Sequence, residues 1–195
     1  KRMKNRILSI ANKARQSLPD KSTPACMYDF VRNCYRNQIP WETTRDQVYE
    51  RYQVNQADGY DITSRNLYCN GCAAAGINFA ASLISLFYGE GNIVETIKIG
   101  TLAGWDSDNP TATWGGLLGF MIGRDGVEIA FGRKFSSQFN IHRTRTNFPD
   151  NGIDNFENMA RTGVFIIDRV VQDQMHGCVD LQKNIWYIPE EELNN

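Results

Sequence analysis

Residues 67–88 read LYCNGCAAAGINFAASLISLFY, a long run of small and apolar residues. Asn70 and Asn78 interrupt the run, which makes it too polar to cross a bilayer. A helix that is apolar on all sides is instead buried among other helices. The run is followed by the turn-forming tripeptide GEG at residues 89–91. We therefore predict a central helix that ends at this turn.

Helical patterns flank this segment on both sides. Ser22 before Pro24 is a cap followed by a proline in the first helical turn, and Asn92 with Glu95 three residues later is a capping-box-like start. The further helices predicted here are residues 3–17, the segment after Pro24, the segment opened by Pro40-Trp41, and residues 93–103.

The C-terminal third carries one more predicted helix, because apolar and small residues recur there with helical spacing. They are Phe156, Met159, Ala160, Gly163, Val164, Ile167 and Val171. Residues 133–153 before it are predicted to be a polar loop, and only NIWYI near Ile185 looks extended. Because strands and helices do not alternate, a parallel sheet is not expected. The prediction is an all-α, compact multi-helix bundle that forms a single unit over residues 1–195.

The charge balance argues against general electrostatic partners. The chain has 195 residues, with 21 Lys and Arg against 22 Asp and Glu, a net charge of -1. Such a balance creates no global field that would attract nucleic acid or an anionic membrane surface. The basic start KRMKNRILSIANKAR carries apolar residues at helical spacing, so we interpret it as a solvated helix face rather than a nucleic-acid-binding arm.

Cysteine and histidine do not form a recognisable site. The five cysteines are an odd number without regular spacing, which favours reduced thiols, and Cys69 and Cys72 form a single CxxC without the further ligands of a zinc site. Neither His142 nor His176 lies beside a Ser or Cys nucleophile motif. The basic residues around His142 are interpreted as an exposed loop, with contact to a diphosphate as the alternative. A cytoplasmic location is the expectation that fits these features best.

Residues 104–119 read GWDSDNPTATWGGLLG and place two carboxylates before an uncharged helix. Pro110 fits the first helical turn, so Asp108 or Asn109 is predicted at the N-cap. Capping explains one carboxylate better than two. Asp106 and Asp108, spaced one residue apart on a turn, suit Mg²⁺ or another divalent cation that prefers oxygen ligands, and Ser107 or Asn109 could add a further oxygen.

The same stretch excludes an EF-hand and predicts close packing. An EF-hand loop starting at Asp106 would need glycine at its sixth position and glutamate at its twelfth, and this chain has Thr111 and Leu117 there. Ala112, Gly115, Gly116 and Gly119 follow at spacings of three and four. They leave a helix face with almost no side chain, which another helix or a ligand could approach.

The motif resembles the C-terminal part of the ADP-ribosylglycohydrolase family. The family is marked by a glycine-led Asp-Thr-Asp-Thr segment followed by a small-residue helix ending in Leu-x-Gly. The order of the preceding segments is also similar, from PWETTRDQVYERY through the small-residue helix and the GEG turn to IVETIKIGTLAG. The resemblance covers about residues 5–132 and leaves 133–195 as an extension.

The resemblance implies an all-α hydrolase with two Mg²⁺ ions that cleaves the glycosidic bond at C1 of the distal ribose of ADP-ribose or a related ribosyl compound. Asp106 and Asp108 match the two metal-ligand aspartates. Asn109 stands where the family has Thr or Ser, also a ligand. Trp105 replaces the second glycine and, with Ser107, is the candidate for substrate binding.

The resemblance also defines what this chain does not contain. The family's Thr-Asp-Asp metal cluster, catalytic acid and Gly-rich diphosphate loop lie upstream of the matched region, so no catalytic residue is assigned. We therefore expect the N-terminal portion of the same protein, or a companion chain, as the partner that completes the site. Two alternatives stay open: a pseudo-hydrolase that binds ADP-ribose or a nucleoside without turnover, and a structural subunit in which the aspartates are only caps.

Overall fold

The computed structural model describes residues 2–61, 74–141 and 146–189. In these ranges the chain is mostly helical, as the sequence predicts. It divides into two compact units, Lys1–Arg133 and Lys134–Asn195. The described ranges contain no helix that is both long and apolar enough to cross a membrane.

The described part of the first unit is helical throughout, apart from its turns. Its α-helices are α1 (Arg2–Gln16), α2 (Thr23–Arg36), α3 (Trp41–Val48), α4 (Ala75–Gly89), α5 (Ile93–Ala103) and α6 (Asp108–Phe131). A π-helical segment, Tyr49–Val54, continues directly from α3, and a short 3-10 turn spans Ala57–Gly59.

Helix α4 lies at the centre of the first unit because almost its whole surface is apolar or small. Ile77, Ile84 and Phe87 are each fully buried, and the helix contacts α2, α3, α5 and α6. Its predicted end is confirmed, since α4 stops at Gly89 and the next residue, Glu90, takes a left-handed φ of 52°. The predicted start at residues 67–73, which includes Cys69 and Cys72, lies outside the described residues.

Helices α4 and α5 approach one another closely at Gly89. A Cβ atom placed on Gly89 would lie 2.7 Å from the backbone Cα of Thr96 in α5. Real side chains do not tolerate such a contact with backbone, so a larger residue would push the two helices apart. This glycine therefore sets the distance between the helix that carries the core and the helix that leads to the aspartates.

Two predicted helix starts are confirmed by their caps. The Ser22 hydroxyl accepts the N–H of Ala25 at 3.4 Å, and Pro24 lies in the first turn of α2. Asn92 Oδ1 accepts two backbone N–H groups at 3.0 and 3.2 Å at the start of α5. These side chains supply acceptors to N–H groups that have no partner within the helix.

The third predicted helix changes type at Tyr49, where α3 widens into the π-helical segment. Asp58 is bound to the middle of this segment, because its carboxylate accepts hydrogen bonds from Arg51 at 3.0–3.1 Å and from the Tyr52 hydroxyl at 3.0 Å. Tyr52 is fully buried and Asp58 has a left-handed φ of 57°. The π-helical segment is therefore held at Arg51 and Tyr52 by a bidentate ion pair and the hydroxyl of a buried tyrosine.

Helix α6 is longer than the sequence indicates. The sequence GRDG at residues 123–126 predicts a turn after the helix that follows Pro110, but the turn is present only as a local break, because Gly123 takes φ 70° and ψ 172° and helical geometry then resumes to Phe131. Only glycine adopts such a conformation readily. The two parts of α6 are thus separated by a single residue instead of a four-residue turn.

The second unit combines one helix with two short hairpins in its described residues. Its elements are β1 (Gln138–Asn140), β2 (Ile153–Asn155), α7 (Phe156–Asp173), β3 (Cys178–Asp180) and β4 (Ile185–Tyr187). Strands β1 and β2 pair antiparallel with Phe139 opposite Asp154, and β3 pairs antiparallel with β4. Of these strands only β4 was predicted, and the prediction of a plain polar loop over 133–153 was wrong at β1.

The amphipathic helix predicted in the C-terminal third is confirmed as α7, but its predicted core stripe is not. Only Val171 of the stripe is buried, whereas Phe156, Met159 and Val164 are each about half exposed. Asn155 caps the helix by accepting the N–H of Asn158 at 2.8 Å. The periodicity predicted the helix correctly and its burial incorrectly.

Candidate functional site

The loop that carries the aspartates is formed by two consecutive left-handed residues. Helix α5 ends at Ala103, and then Gly104 has φ 95° and Trp105 has φ 57°. A left-handed conformation costs a bulky L-residue about 1–3 kcal/mol unless its surroundings hold it there. These two residues turn the chain from α5 into α6 and bring residues 105–109 to the start of α6.

Helix α6 starts one or two residues earlier than predicted, which corrects the assignment of its cap. Its N-cap is Ser107, rather than Asp108 or Asn109, and Ser107 makes no side-chain capping hydrogen bond. Asp108 is already the first helical residue and Pro110 is buried in the first turn. In the described part of the chain, therefore, Asp108 does not serve as the N-cap.

The carboxyl groups of Asp106 and Asp108 interact with one another. Asp108 lies within hydrogen-bonding reach of Asp106, and this contact, with smaller contributions from desolvation and charge repulsion, raises the pKa of Asp106 above its usual value. Two like charges held together favour either a shared proton or a cation between them. Their position in the first turn of α6, at the positive end of the helix dipole, partly offsets the repulsion.

Asn78 of α4 holds the loop that carries the aspartates. It was not identified from the sequence as a site residue. Its side-chain Oδ1 accepts the backbone N–H of Asp106 at 3.0 Å, and its Nδ2 donates to the carbonyl of Ala74 at 3.0 Å. Asn78 is 5% exposed in the middle of an apolar helix. The signal available in the sequence was the isolated amide in a run of small apolar residues, since a buried polar side chain needs a partner.

The same network reaches helix α6. Ser82 donates its hydroxyl to the Asn78 carbonyl at 2.7 Å, and the indole Nε1 of Trp114 donates to the Ser82 carbonyl at 2.8 Å. Asn78 and Ser82 lie on α4, while Trp114 lies on α6. The loop and the helix that follows it are thus both hydrogen-bonded to the central helix.

Trp105 contacts an aromatic residue from a distant part of the chain. Its ring stacks with that of Tyr49, with the ring centroids 6.4 Å apart and the planes 25° apart. Trp105 is partly buried and also packs against the hydrophobic core. Tyr49 is the first residue of the π-helical segment and is 36% exposed.

The small-residue face predicted on α6 is only partly occupied in the described chain. A Cβ on Gly100 of α5 would lie 3.2 Å from the Thr111 methyl group, and one on Gly115 would lie 3.7 Å from Ile97 of α5. Nothing lies within 4 Å of the corresponding position on Gly116, which is exposed. The glycines thus allow α5 to approach on one side and leave the other side open.

The structure keeps the five predicted site residues together in one loop and helix start. Asp106, Trp105 and Ser107 are half-buried, whereas Asp108 and Asn109 are exposed. Over residues 2–61, 74–141 and 146–189 there is no group of three or more His, Cys, Asp and Glu side chains arranged to hold a metal ion. Two carboxylates alone would fill only part of the octahedral oxygen shell that Mg²⁺ prefers.

The other predicted candidates add nothing to this site. Cys26, Cys34 and Cys178 are free thiols, as the odd cysteine count suggests. His142 and its basic neighbours lie outside the described residues. His176 belongs to the second unit, where it is exposed at a turn with φ 52°.

Comparison with known proteins identifies no relative: no protein-family model, curated protein or solved structure matches this chain.

Proposed function

We propose that this chain provides the metal-binding part of a Mg²⁺-dependent hydrolase with an ADP-ribosylglycohydrolase-like helical bundle. The hydrolase would cleave the glycosidic bond at C1 of the distal ribose of ADP-ribose conjugates or related ribosyl compounds. The observation that supports the proposal best is the pair of interacting carboxylates at the start of α6, Asp106 and Asp108, spaced one residue apart. Neither carboxylate lies at the N-cap position, which is Ser107. A divalent cation accounts for both carboxylates.

The donor set fits a hard cation. Asp106 and Asp108 would bind it through carboxylate oxygens, and the exposed amide of Asn109 offers a third oxygen on the same turn. When bound, the metal would orient the ribose hydroxyls and position a water molecule near the anomeric carbon. The remaining ligands and the catalytic acid would come from the N-terminal portion of the same protein or from a companion chain.

The chain's own residues would orient this half of the site. Asn78 accepts a hydrogen bond from the backbone N–H of Asp106 and so holds the backbone from which the first carboxylate extends. Asp108 belongs to the rigid first turn of α6, where its position follows from helix geometry. Trp105 and Ser107, on either side of Asp106, would contact the substrate.

Metal binding can be tested directly with Mn²⁺ as a paramagnetic substitute for Mg²⁺. We expect Asp106→Asn and Asp108→Asn each to lower Mn²⁺ affinity at least tenfold in an electron paramagnetic resonance titration, because each removes a charged ligand. Asp125→Asn, a change of an exposed aspartate on the same helix, is the matched control and should bind Mn²⁺ like the unchanged protein. Equal affinity in Asp106→Asn and the unchanged protein would refute the metal role.

Hydrolysis and binding are separated by measuring both on the same sample. An ADP-ribosylated peptide is incubated in Mg²⁺ with the chain together with the portion or companion chain that supplies the remaining ligands, and both peptide binding and release of ADP-ribose are followed. Release that depends on Mg²⁺ and disappears in Asp106→Asn supports the hydrolase. Saturable binding without release selects the pseudo-hydrolase, and a lack of both contradicts the proposed substrate class.

A further inference from the structure

Tyr49 lies beside the aspartate loop, where its ring stacks with that of Trp105. It begins a π-helical segment, and such segments are rare and are frequently found at functional sites. The middle of the segment is bound to Asp58 through the Arg51 guanidinium and the hydroxyl of the buried Tyr52. Tyr49 precedes these two residues in the same segment, and its partly exposed ring lies beside Trp105.

Trp105 is held in a conformation that its side chain does not favour. Its φ of 57° lies in the left-handed region, where glycine would be free of strain. Packing on the core and on Tyr49 is what keeps the indole in place. Backbone strain of this kind occurs preferentially at ligand-binding sites, where the surrounding structure maintains it.

The two rings form a nearly parallel pair next to the carboxylates. Trp105 directly precedes Asp106 in the chain, so the pair lies one residue from the proposed metal ligand. Their planes differ by 25°, and both residues are partly exposed. Aromatic side chains on which a base can stack are a recurring feature of nucleotide recognition.

We propose that Tyr49 and Trp105 form an aromatic platform that stacks a planar heteroaromatic ring of the ligand, and that this ring is bonded directly to the ribose held at Asp106 and Asp108. The inference rests on the proposed function, which it narrows to ribosides that carry a base. We place the ring directly on the sugar because Trp105 immediately precedes Asp106 in the chain. A ring separated from the metal-held sugar by a diphosphate would lie farther from Asp106. In the corresponding hydrolysis, water oxygen bonds to C1, the C1–N bond breaks, and the base leaves with the bonding electron pair and takes up a proton.

The platform is tested with two probes that differ in the base. Adenosine carries a purine on its ribose, and ribose 5-phosphate does not. Both are titrated calorimetrically in Mg²⁺ against the unchanged protein, Tyr49→Phe, Tyr49→Leu and the control Phe120→Leu, which removes an aromatic ring that is 83% exposed on α6. We expect the unchanged protein to bind adenosine more tightly, and Tyr49→Leu to lose about tenfold or more in adenosine affinity.

The other measurements define what supports or overturns the platform. Ribose 5-phosphate binding should change less than threefold in Tyr49→Leu, while Tyr49→Phe and Phe120→Leu should bind both probes like the unchanged protein. The proposal would be overturned if Tyr49→Leu lost equal affinity for both probes, or lost affinity for neither. It would also be overturned if the unchanged protein bound adenosine no more tightly than ribose 5-phosphate. If Tyr49→Leu does not fold, nuclear Overhauser contacts between adenosine and the Trp105 indole in the unchanged protein decide, and their absence overturns it.

Failure of the platform and failure of the metal site give different results. If Mn²⁺ affinity is equal in Asp106→Asn and the unchanged protein, the proposed function fails, whatever the variants at Tyr49 do. If Asp106→Asn loses Mn²⁺ but Tyr49→Leu keeps its adenosine preference, the metal site stands and the platform alone fails.

Discussion

The side-chain oxygen of Asn78 accepts the backbone N–H of Asp106 at 3.0 Å, across 28 positions of sequence. It links the most buried helix of the first unit to the loop that carries the proposed metal ligands. A buried amide held on both sides is a stronger constraint than a surface contact, because breaking it leaves polar groups without partners in an apolar region.

Replacement of Asn78 should therefore affect both stability and the site. We expect Asn78→Ala to lower the free energy of unfolding by about 1–3 kcal/mol, the usual cost of leaving a buried donor without its acceptor. Urea denaturation measures this loss. Mn²⁺ affinity should fall in the same variant, because the first carboxylate loses its fixed position.

The matched control is Asn33→Ala, an asparagine on the exposed side of α2. It should change the free energy of unfolding by less than about 0.5 kcal/mol. Equal stability of Asn78→Ala and Asn33→Ala would contradict the role assigned to the buried amide.

Two glycines of the first unit should respond oppositely to alanine. Gly116 lies in α6 with open space at its Cβ position, so Gly116→Ala should raise the free energy of unfolding by roughly 0.5–1 kcal/mol through reduced backbone entropy of the unfolded chain. Gly89→Ala should lower it by about 1–3 kcal/mol, because the methyl group would meet the backbone of Thr96.

Thermal and urea unfolding of the two variants provide the comparison. A destabilised Gly116→Ala would mean that another element packs on this face of α6 in solution. Ala112, Gly115, Gly116 and Gly119 would then all serve close helix packing, one of the two roles that the sequence predicts for this face of α6.

The pH dependence of stability should reveal the contact of Glu90 with Lys4 and Tyr35. Partial burial raises the pKa of Glu90, but the hydrogen bonds from Lys4 and Tyr35 outweigh burial and hold the pKa below its usual value. The folded state therefore binds fewer protons than the unfolded state in acid, and the contact stabilises the protein above about pH 4.5.

We expect Glu90→Gln to lower the free energy of unfolding by less than about 1 kcal/mol at neutral pH, since the Lys4–Glu90 ion pair is partly exposed. The difference in the free energy of unfolding between Glu90→Gln and the unchanged protein should shrink as the pH falls through 4.5 and then through the lower pKa that Glu90 has in the folded state. At such a pH Glu90 is protonated, and the unchanged protein loses the same contact. Urea denaturation of both proteins from pH 7 to pH 3 measures this difference, with the exposed Glu42→Gln as control. A deficit that stays constant over this range would rule out an electrostatic origin.

Local chemistry made part of the fold predictable. Ser22 and Asn92 mark helix starts because a short polar side chain next to a helical pattern has one well-defined role there. The end of α4 is likewise indicated by the Gly-Glu-Gly turn. At Trp105 the same kind of reasoning failed, because a tryptophan in a left-handed conformation is held by tertiary contacts and leaves no local signal.

The parts of the site that were missed depend on distant contacts or on a subtle change in helix type. The π-helical segment at Tyr49 has no compositional mark, and the stack of Tyr49 with Trp105 joins residues that are 56 positions apart. The strands of the second unit are three residues long, too short to show an alternation of polar and apolar residues. The stripe on α7 has the period of a helix, but periodicity alone does not say whether a face is covered.

The hydrogen bonds that join Asp106, Asn78, Ser82 and Trp114 have a consequence for ligand affinity. They form a closed path, because the chain itself connects Asp106 to Trp114 through the start of α6. The conformational entropy of ordering this loop is therefore lost when the protein folds and not when a ligand arrives. A cation or substrate that binds there meets a surface already in its final shape, and more of its interaction energy is retained as affinity.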